Sequence, residues 1–249
     1  MTVEPFSLSY LLLFGVGAIA GFMNVLAGGG SILTLPALIF LGLDSVTANG
    51  TNRIAVVMQS ASAVAAYHQK KVRLYKESVR YTLLTLPGAV LGALFAVQIG
   101  DAAFKKILGV LTLLIVSTLF LPITKGNNRQ EQKASAWLFY PAMVAVGFYG
   151  GFLQAGVGFM IMACLYHLEK LELVLVNIHK VFLMLFFTLP ALLVFALSGH
   201  LQWLPGIVLA FGNALGAWVG ARANLQGGEK VIRIMVAAAA SIMAIKLLW

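Results

Sequence analysis

Arg53 closes a polar run, Asn49-Gly50-Thr51-Asn52-Arg53, in a chain of 249 residues that is 61% hydrophobic and only 10% charged. An arginine inside such a sequence is costly in lipid and marks a functional site by default. Its planar guanidinium offers parallel N–H donors that suit an oxyanion. Snorkelling to the membrane surface is the competing reading. Further along, Asn177-Ile178-His179-Lys180 sets a second cation beside a second amide and an imidazole. Apart from Asp44, no acidic residue stands near Arg53. Two such cations converging on one place predict an anionic ligand. His179 is the one candidate proton carrier beside them, because imidazole titrates near neutral pH; a structural histidine is the alternative. His68, His167 and His200 fall in expected loops, as do Asp44, Asp101, Glu169 and Glu172. With no carboxylate inside an apolar stretch, a carboxylate proton relay or a dedicated Na⁺ site has little support. There is no nucleotide-binding motif and no nucleophile–base–acid set, so the chain reads as a non-enzyme without a cofactor or a metal.

These side chains need elements that hold polar groups within an apolar interior. Gly28-Gly29-Gly30 interrupts an apolar stretch, and each glycine costs roughly 1 kcal/mol against alanine inside a helix. Irregular backbone at membrane depth survives only where protein buries it or where it lines a polar cavity. A second, less glycine-dense break follows at Gln154-Ala155-Gly156-Val157-Gly158. A half-helix that starts after such a break turns free N–H groups and a positive dipole end toward an anion. Ser31 and Thr34 add hydroxyls, and Pro36 is expected to keep the short arm irregular. Asn24, Gln59 and Gln154 are amides in apolar runs; each fits a ligand contact or a helix–helix hydrogen bond. The candidate binding residues are therefore Asn24, Gly28, Gly29, Gly30, Ser31, Thr51, Asn52, Arg53, Gln59, Gln154, Gly156, Gly158, Asn177, His179 and Lys180.

Apolar stretches at about 8–27, 31–43, 54–67, 79–99, 104–122, 136–156, 157–168, 181–198, 204–222 and 231–248 make this a polytopic, all-α membrane protein. A full crossing takes about 20 residues, so 31–43 and 157–168 read as arms of re-entrant hairpins, while 54–67 extends through the polar run. The absence of basic residues before position 8 argues against a cleaved signal peptide, and the single cysteine, Cys164, excludes an intrachain disulfide. The net charge of +9 follows from basic cytoplasmic loops rather than from nucleic-acid binding. If each broken unit enters and leaves on one side, the inside loops 68–80, 123–135, 167–180 and 221–233 carry 13 of the 17 basic residues. If each broken unit crosses once, the best split is 9 to 8. The first arrangement places both termini outside.

The two halves match. Gly21-Phe22 before the first break corresponds to Gly147-Phe148 before the second, Thr51-Asn52-Arg53 to Ile178-His179-Lys180, and Gly88/Gly92-Ala93 to Gly212/Gly216-Ala217, at offsets of 126, 127 and 124 residues. An odd number of crossings per half makes the repeats inverted, with a substrate site between them. The expected division is a first repeat at 1–122, a cytoplasmic linker at 123–135 and a second repeat at 136–249. The paired glycines are expected to pack helices rather than to touch substrate.

The run from Gly21-Phe22 and Asn24 through Gly28-Gly29-Gly30 to Pro36-Ala37-Leu38, then Gly42-Leu43, Ala48 and Thr51-Asn52-Arg53, resembles the first half of the sulfite exporter TauE/SafE family. Gly147-Phe148, His179-Lys180, Gly212, Leu215-Gly216-Ala217 and Gly220-Ala221-Arg222 are similar to its second repeat. The resemblance implies a bacterial inner-membrane carrier for small sulfur oxyanions or organosulfonates. That family usually carries Lys or Ser-type residues where this chain has Arg53. The expectation is a secondary transporter of sulfite or a short organosulfonate working by alternating access, in which Arg53 and Lys180 neutralise the anion. An anion channel and a non-transport membrane scaffold are the alternatives. Direction of transport, protons as coupling ion and a homodimer stay open.

Overall fold

The computed structural model describes residues 8–72, 74–119 and 136–248. The expected linker at 123–135 lies outside them. The described residues form helices and no strand: α1 (Leu8–Leu26), α2 (Ser31–Phe40), α3 (Ser45–Gln69), α4 (Tyr75–Gln98), α5 (Asp101–Leu119), α6 (Ala136–Phe152), α7 (Val157–His167), α8 (Leu173–Leu197) and α9 (Trp203–Leu248). Among the described residues, four segments are long and apolar enough to cross a membrane: Leu8–Leu26, Lys76–Gln98, Leu173–Leu197 and Trp203–Gly227. Helix α3 is as long as α8 but polar along its first turns, and those turns are buried. Its start is fixed by Asp44, whose carboxylate accepts the Thr47 N–H at 2.9 Å, an N-cap that satisfies one orphan donor.

The two breaks fall where the glycines lie. Helix α1 ends at Leu26, and α2 folds back along it, since Ala37, Phe40 and Leu41 line a groove with Ser9, Leu12 and Val16 at the start of α1. The α6–α7 pair is also a hairpin. Tyr81 stacks edge-on against Phe139 at the start of α6, with ring centroids 5.7 Å apart, and bonds Glu169 just beyond α7. Against expectation, Pro36 lies inside a regular α2. The arm is short because the chain turns at Leu41–Leu43, not because the proline disrupts it.

Long helices cross-pack between the halves. Glycines on one helix face the backbone of its partner: Gly212, Gly216 and Gly220 of α9 lie against Phe14, Ala18 and Phe22 of α1. Gly88 and Gly92 of α4 lie against Val144 and Phe148 of α6. Both pairs run parallel and leave no room for a Cβ, as small residues at membrane helix interfaces allow. Helices α3 and α8 run antiparallel. Gly50 near the start of α3 abuts Phe195 and His200, while Tyr67 near its end lines a small cavity with Ile178 and Phe182.

Two expected loops are helix. Only 168–172 separates α7 from α8, so Lys180 is a buried helical residue rather than a loop charge. The segment 221–233 continues α9 without interruption, because a helix tolerates Gly227 and Gly228 at a modest propensity cost.

Candidate functional site at the hairpin tips

The two breaks meet. A Cβ placed on Gly28 would lie 2.5 Å from the Gly158 carbonyl carbon and 2.7 Å from its Cα. Gly28 holds φ +90°, a left-handed conformation open to glycine without steric cost. Gly29 lies under the Phe159 ring, and Gly30 packs on Ala20 and Asn24. Around this contact the backbone is partly unpaired. Gly28 N–H bonds the Met23 carbonyl and Val157 N–H bonds that of Gln154, but Gly29, Gly30, Ser31, Gly156 and Gly158 donate to no backbone acceptor among the described residues. Orphan N–H groups at a helix start are what an anion can accept.

Both cations lie beside these tips, fully buried. Each reaches across to the end of the other half's first hairpin helix. From α3, Arg53 Nη1 donates to the Gly150 carbonyl at 3.1 Å and to Gln154 Oε1 at 2.7 Å, and Nη2 donates to the Gly151 carbonyl. Asn49, one turn earlier, donates to the next carbonyl, that of Phe152, at 2.8 Å. From α8, Lys180 Nζ donates to the Val25 carbonyl at 2.9 Å, and Asn177 donates to that of Leu26 at 3.1 Å. A helix leaves its last carbonyls unsatisfied and carries a partial negative charge there. Two amide–cation pairs therefore cap the broken ends of α6 and α1. Neither cation has a carboxylate among its partners in the described residues, and the Arg53 guanidinium lies 4.5 Å from the Phe195 ring centroid.

The remaining candidates divide. Asn52 accepts the Thr34 hydroxyl at 2.6 Å and donates to Ser31 at 3.2 Å, tying α3 to the start of α2. Gln154, at φ +63° in the turn, donates to Thr188 at 3.3 Å. Thr51 faces away, its hydroxyl accepting the Gln202 N–H at 3.0 Å. His179 points to α4. Ser78 donates its hydroxyl to the Leu74 carbonyl, which leaves the oxygen to accept from His179 Nδ1 at 2.8 Å. Asn24 and Gln59 are buried with unpartnered polar atoms: Oδ1 of the first, both amide atoms of the second.

Other polar residues complete this region. Asn224 accepts from Asn177 at 3.0 Å, Met162 sulfur lies 3.5 Å from Lys180 Nζ, and Asn213 is buried with its Oδ1 unpartnered. Asn213 and Asn224 stand eleven residues apart in an apolar helix, three turns on one face, a pattern open to inspection. Asn49 was visible as part of the polar run, four residues before Arg53 on the same helix face.

Paired broken hairpins whose tips meet among buried cations define a polytopic helical membrane protein of the transporter kind. The chain belongs to the sulfite exporter TauE/SafE family, which it matches over residues 13–247. It is 31% identical over 237 residues to a probable membrane transporter protein, ORF9, of Sinorhizobium, covering 95% of this chain and 91% of the other. It is 31% identical over 239 residues to the probable membrane transporter protein YfcA of Escherichia coli K12, at 96% and 89% coverage. A probable membrane transporter protein of Haemophilus influenzae is 31% identical over 242 residues, at 96% and 94% coverage. These names describe transport rather than catalysis. No solved structure matches.

Proposed function

We propose that this protein is a secondary transporter of a small sulfur-containing anion, sulfite or a short organosulfonate, seated where the two hairpin tips meet. The observation that carries the reading is the placement of Arg53 and Lys180, buried without a carboxylate partner among the described residues, beside tips in which the Gly29, Gly30, Ser31, Gly156 and Gly158 N–H groups lack backbone acceptors. An unpaired charge in a low-dielectric interior is expensive, and a bound anion offsets it. The halves act as inverted repeats, a reading supported by the antiparallel crossing of α3 and α8 and by the reciprocal capping of α1 and α6. Alternating access then follows from rocking one half against the other about the tips. His179, on the Ser78 side of the site, is the proton carrier if protons couple transport. The protein sits in a bacterial inner membrane.

Reconstituted protein in proteoliposomes tests this. Saturable uptake of labelled sulfite or ethanesulfonate, with counterflow, is expected for the wild type, and Arg53→Ala and Lys180→Ala should each lower the rate by at least about tenfold, the equivalent of one lost charge-assisted hydrogen bond. Wild-type rates in both variants refute the cation site. Unsaturable currents in place of counterflow make the protein a channel.

A further inference from the structure

The two cations look equivalent by repeat position, but their surroundings differ. Lys180 has three N–H donors, and all three have acceptors: the Val25 carbonyl, Asn177 Oδ1 at 2.7 Å and, more weakly, Met162 Sδ. Arg53 has five N–H donors. Nη1 serves Gly150 and Gln154, and Nη2 serves Gly151, but the fully buried Nε has no acceptor among the described residues. The Nε–Nη2 edge is a side-on fork that meets two oxygens of an oxyanion. One of its two nitrogens is unpaired and the other holds a single hairpin carbonyl.

The turns differ in the same sense. In the α1–α2 turn the left-handed residue is Gly28. In the α6–α7 turn the left-handed Gly156 is joined by Gln154, at φ +63°, where a side chain is sterically disfavoured. Gln154 is held there from both ends of its amide, by Arg53 and by Thr188. The α6–α7 hairpin thus keeps its shape partly through Arg53, whereas the α1–α2 hairpin is tied by a lysine with no donor to spare.

We propose that Arg53 is the anion contact and that an oxyanion on its Nε–Nη2 edge loosens the α6–α7 hairpin, while Lys180 is a positioning residue that permanently clamps the α1–α2 hairpin. This rests on the anion-transport reading for its ligand but not for its clamps. An anion taking the Nη2 donor from the Gly151 carbonyl strips one of the three capped carbonyls at the α6 end, while Nη1 keeps Gly150 and Gln154 and Asn49 keeps Phe152, so binding loosens the hairpin. The α1 end keeps its Lys180 and Asn177 caps throughout.

Arg53→Gln and Lys180→Gln separate the roles, because each amide still donates to a hairpin carbonyl while the charge is lost; Arg53→Lys keeps the charge but loses the fork. Sulfite uptake into proteoliposomes should show KM raised about 10- to 100-fold in Arg53→Gln and Arg53→Lys, the range of a lost charge-assisted hydrogen bond. Lys180→Gln, which loses a nearby buried charge but no anion contact, should raise KM by less than about tenfold. Hydrogen–deuterium exchange of the full chain in nanodiscs is the second readout. Sulfite should speed exchange at 150–156 and leave 25–30 unchanged, and Lys180→Ala should speed exchange at 25–30 without sulfite. Equal KM increases in Arg53→Gln and Lys180→Gln, or sulfite loosening both tips alike, overturn the assignment. If the wild type moves no sulfite, the transport reading fails; Lys180→Ala exchange at 25–30 then still decides the clamp, and no change there removes it.

Discussion

Lys180 and Asn177 show how a buried charge is held in a membrane interior without an opposite charge. Nζ bonds the Val25 carbonyl, Asn177 bridges Nζ to the Leu26 carbonyl, and Asn224 steadies Asn177. Replacing Asn177 with alanine strands one carbonyl at the α1 end and one Lys180 proton. Each buried group left unpaired costs about 1–3 kcal/mol, so Asn177→Ala should unfold at a clearly lower temperature in detergent. Thr51→Ala, which frees only the Gln202 N–H in a partly buried loop, should shift far less, and equal shifts would count against the cap. The sequence displayed Arg53, Asn177 and Lys180 as unusual by type alone. It did not display what they hold. Their partners are main-chain carbonyls of the other half, and a carbonyl has no residue identity to read. The same blindness hid Met162 and Thr188, whose types are ordinary in an apolar helix, and it let Lys180 be counted among loop charges.

Helices α4 and α6 pack through Gly88, Gly92, Gly147 and Gly151, each facing a backbone carbonyl across the interface. A methyl group at Gly151 would collide with the Ala89 carbonyl, and backbone cannot yield as a side-chain tip can. Gly151 is also the carbonyl that Arg53 caps, so parting α4 from α6 displaces the site. Gly151→Ala and Gly92→Ala should therefore lower the folded yield and abolish uptake, read by size-exclusion monodispersity and proteoliposome flux. Gly15→Ala, with nothing within 4 Å of the added Cβ, should leave both unchanged; if all three variants behave alike, the close approach does not matter. Element existence was legible from hydropathy, and the breaks from glycine. Element ends were less so. Polar Asn49–Arg53 hid the start of α3, and the gap between the apolar stretches 204–222 and 231–248 suggested a loop at 221–233 where α9 continues, because local propensity is weak against an apolar sequence that remains helical on both sides.

At the scale of the whole molecule, the membrane sets the constraint on α9. A helix of 46 residues is about 69 Å long at 1.5 Å per residue, roughly twice a hydrocarbon core of about 30 Å. Trp203–Gly227 already accounts for one crossing. A straight continuation would carry the apolar sequence 231–248 into water, where each exposed CH₂ costs about 0.8 kcal/mol. That stretch stays in lipid if α9 bends sharply at Gly227-Gly228, since glycine pairs are where helices kink. The basic residues Lys230 and Arg233 follow the bend directly, and positive charge favours the cytoplasmic face. With the α1–α2 hairpin returning to its own side, the reading places both chain ends on the outer face. Single cysteines at positions 2 and 248, in a Cys164→Ala background, should both react with a membrane-impermeant thiol reagent added to intact cells, while a cysteine at 230 should react only after permeabilisation. Protection at 248 with reaction at 2 would mean that α9 runs straight into the cytoplasm and that the second half crosses an even number of times, and the inverted-repeat reading, with the alternating-access motion built on it, would fall.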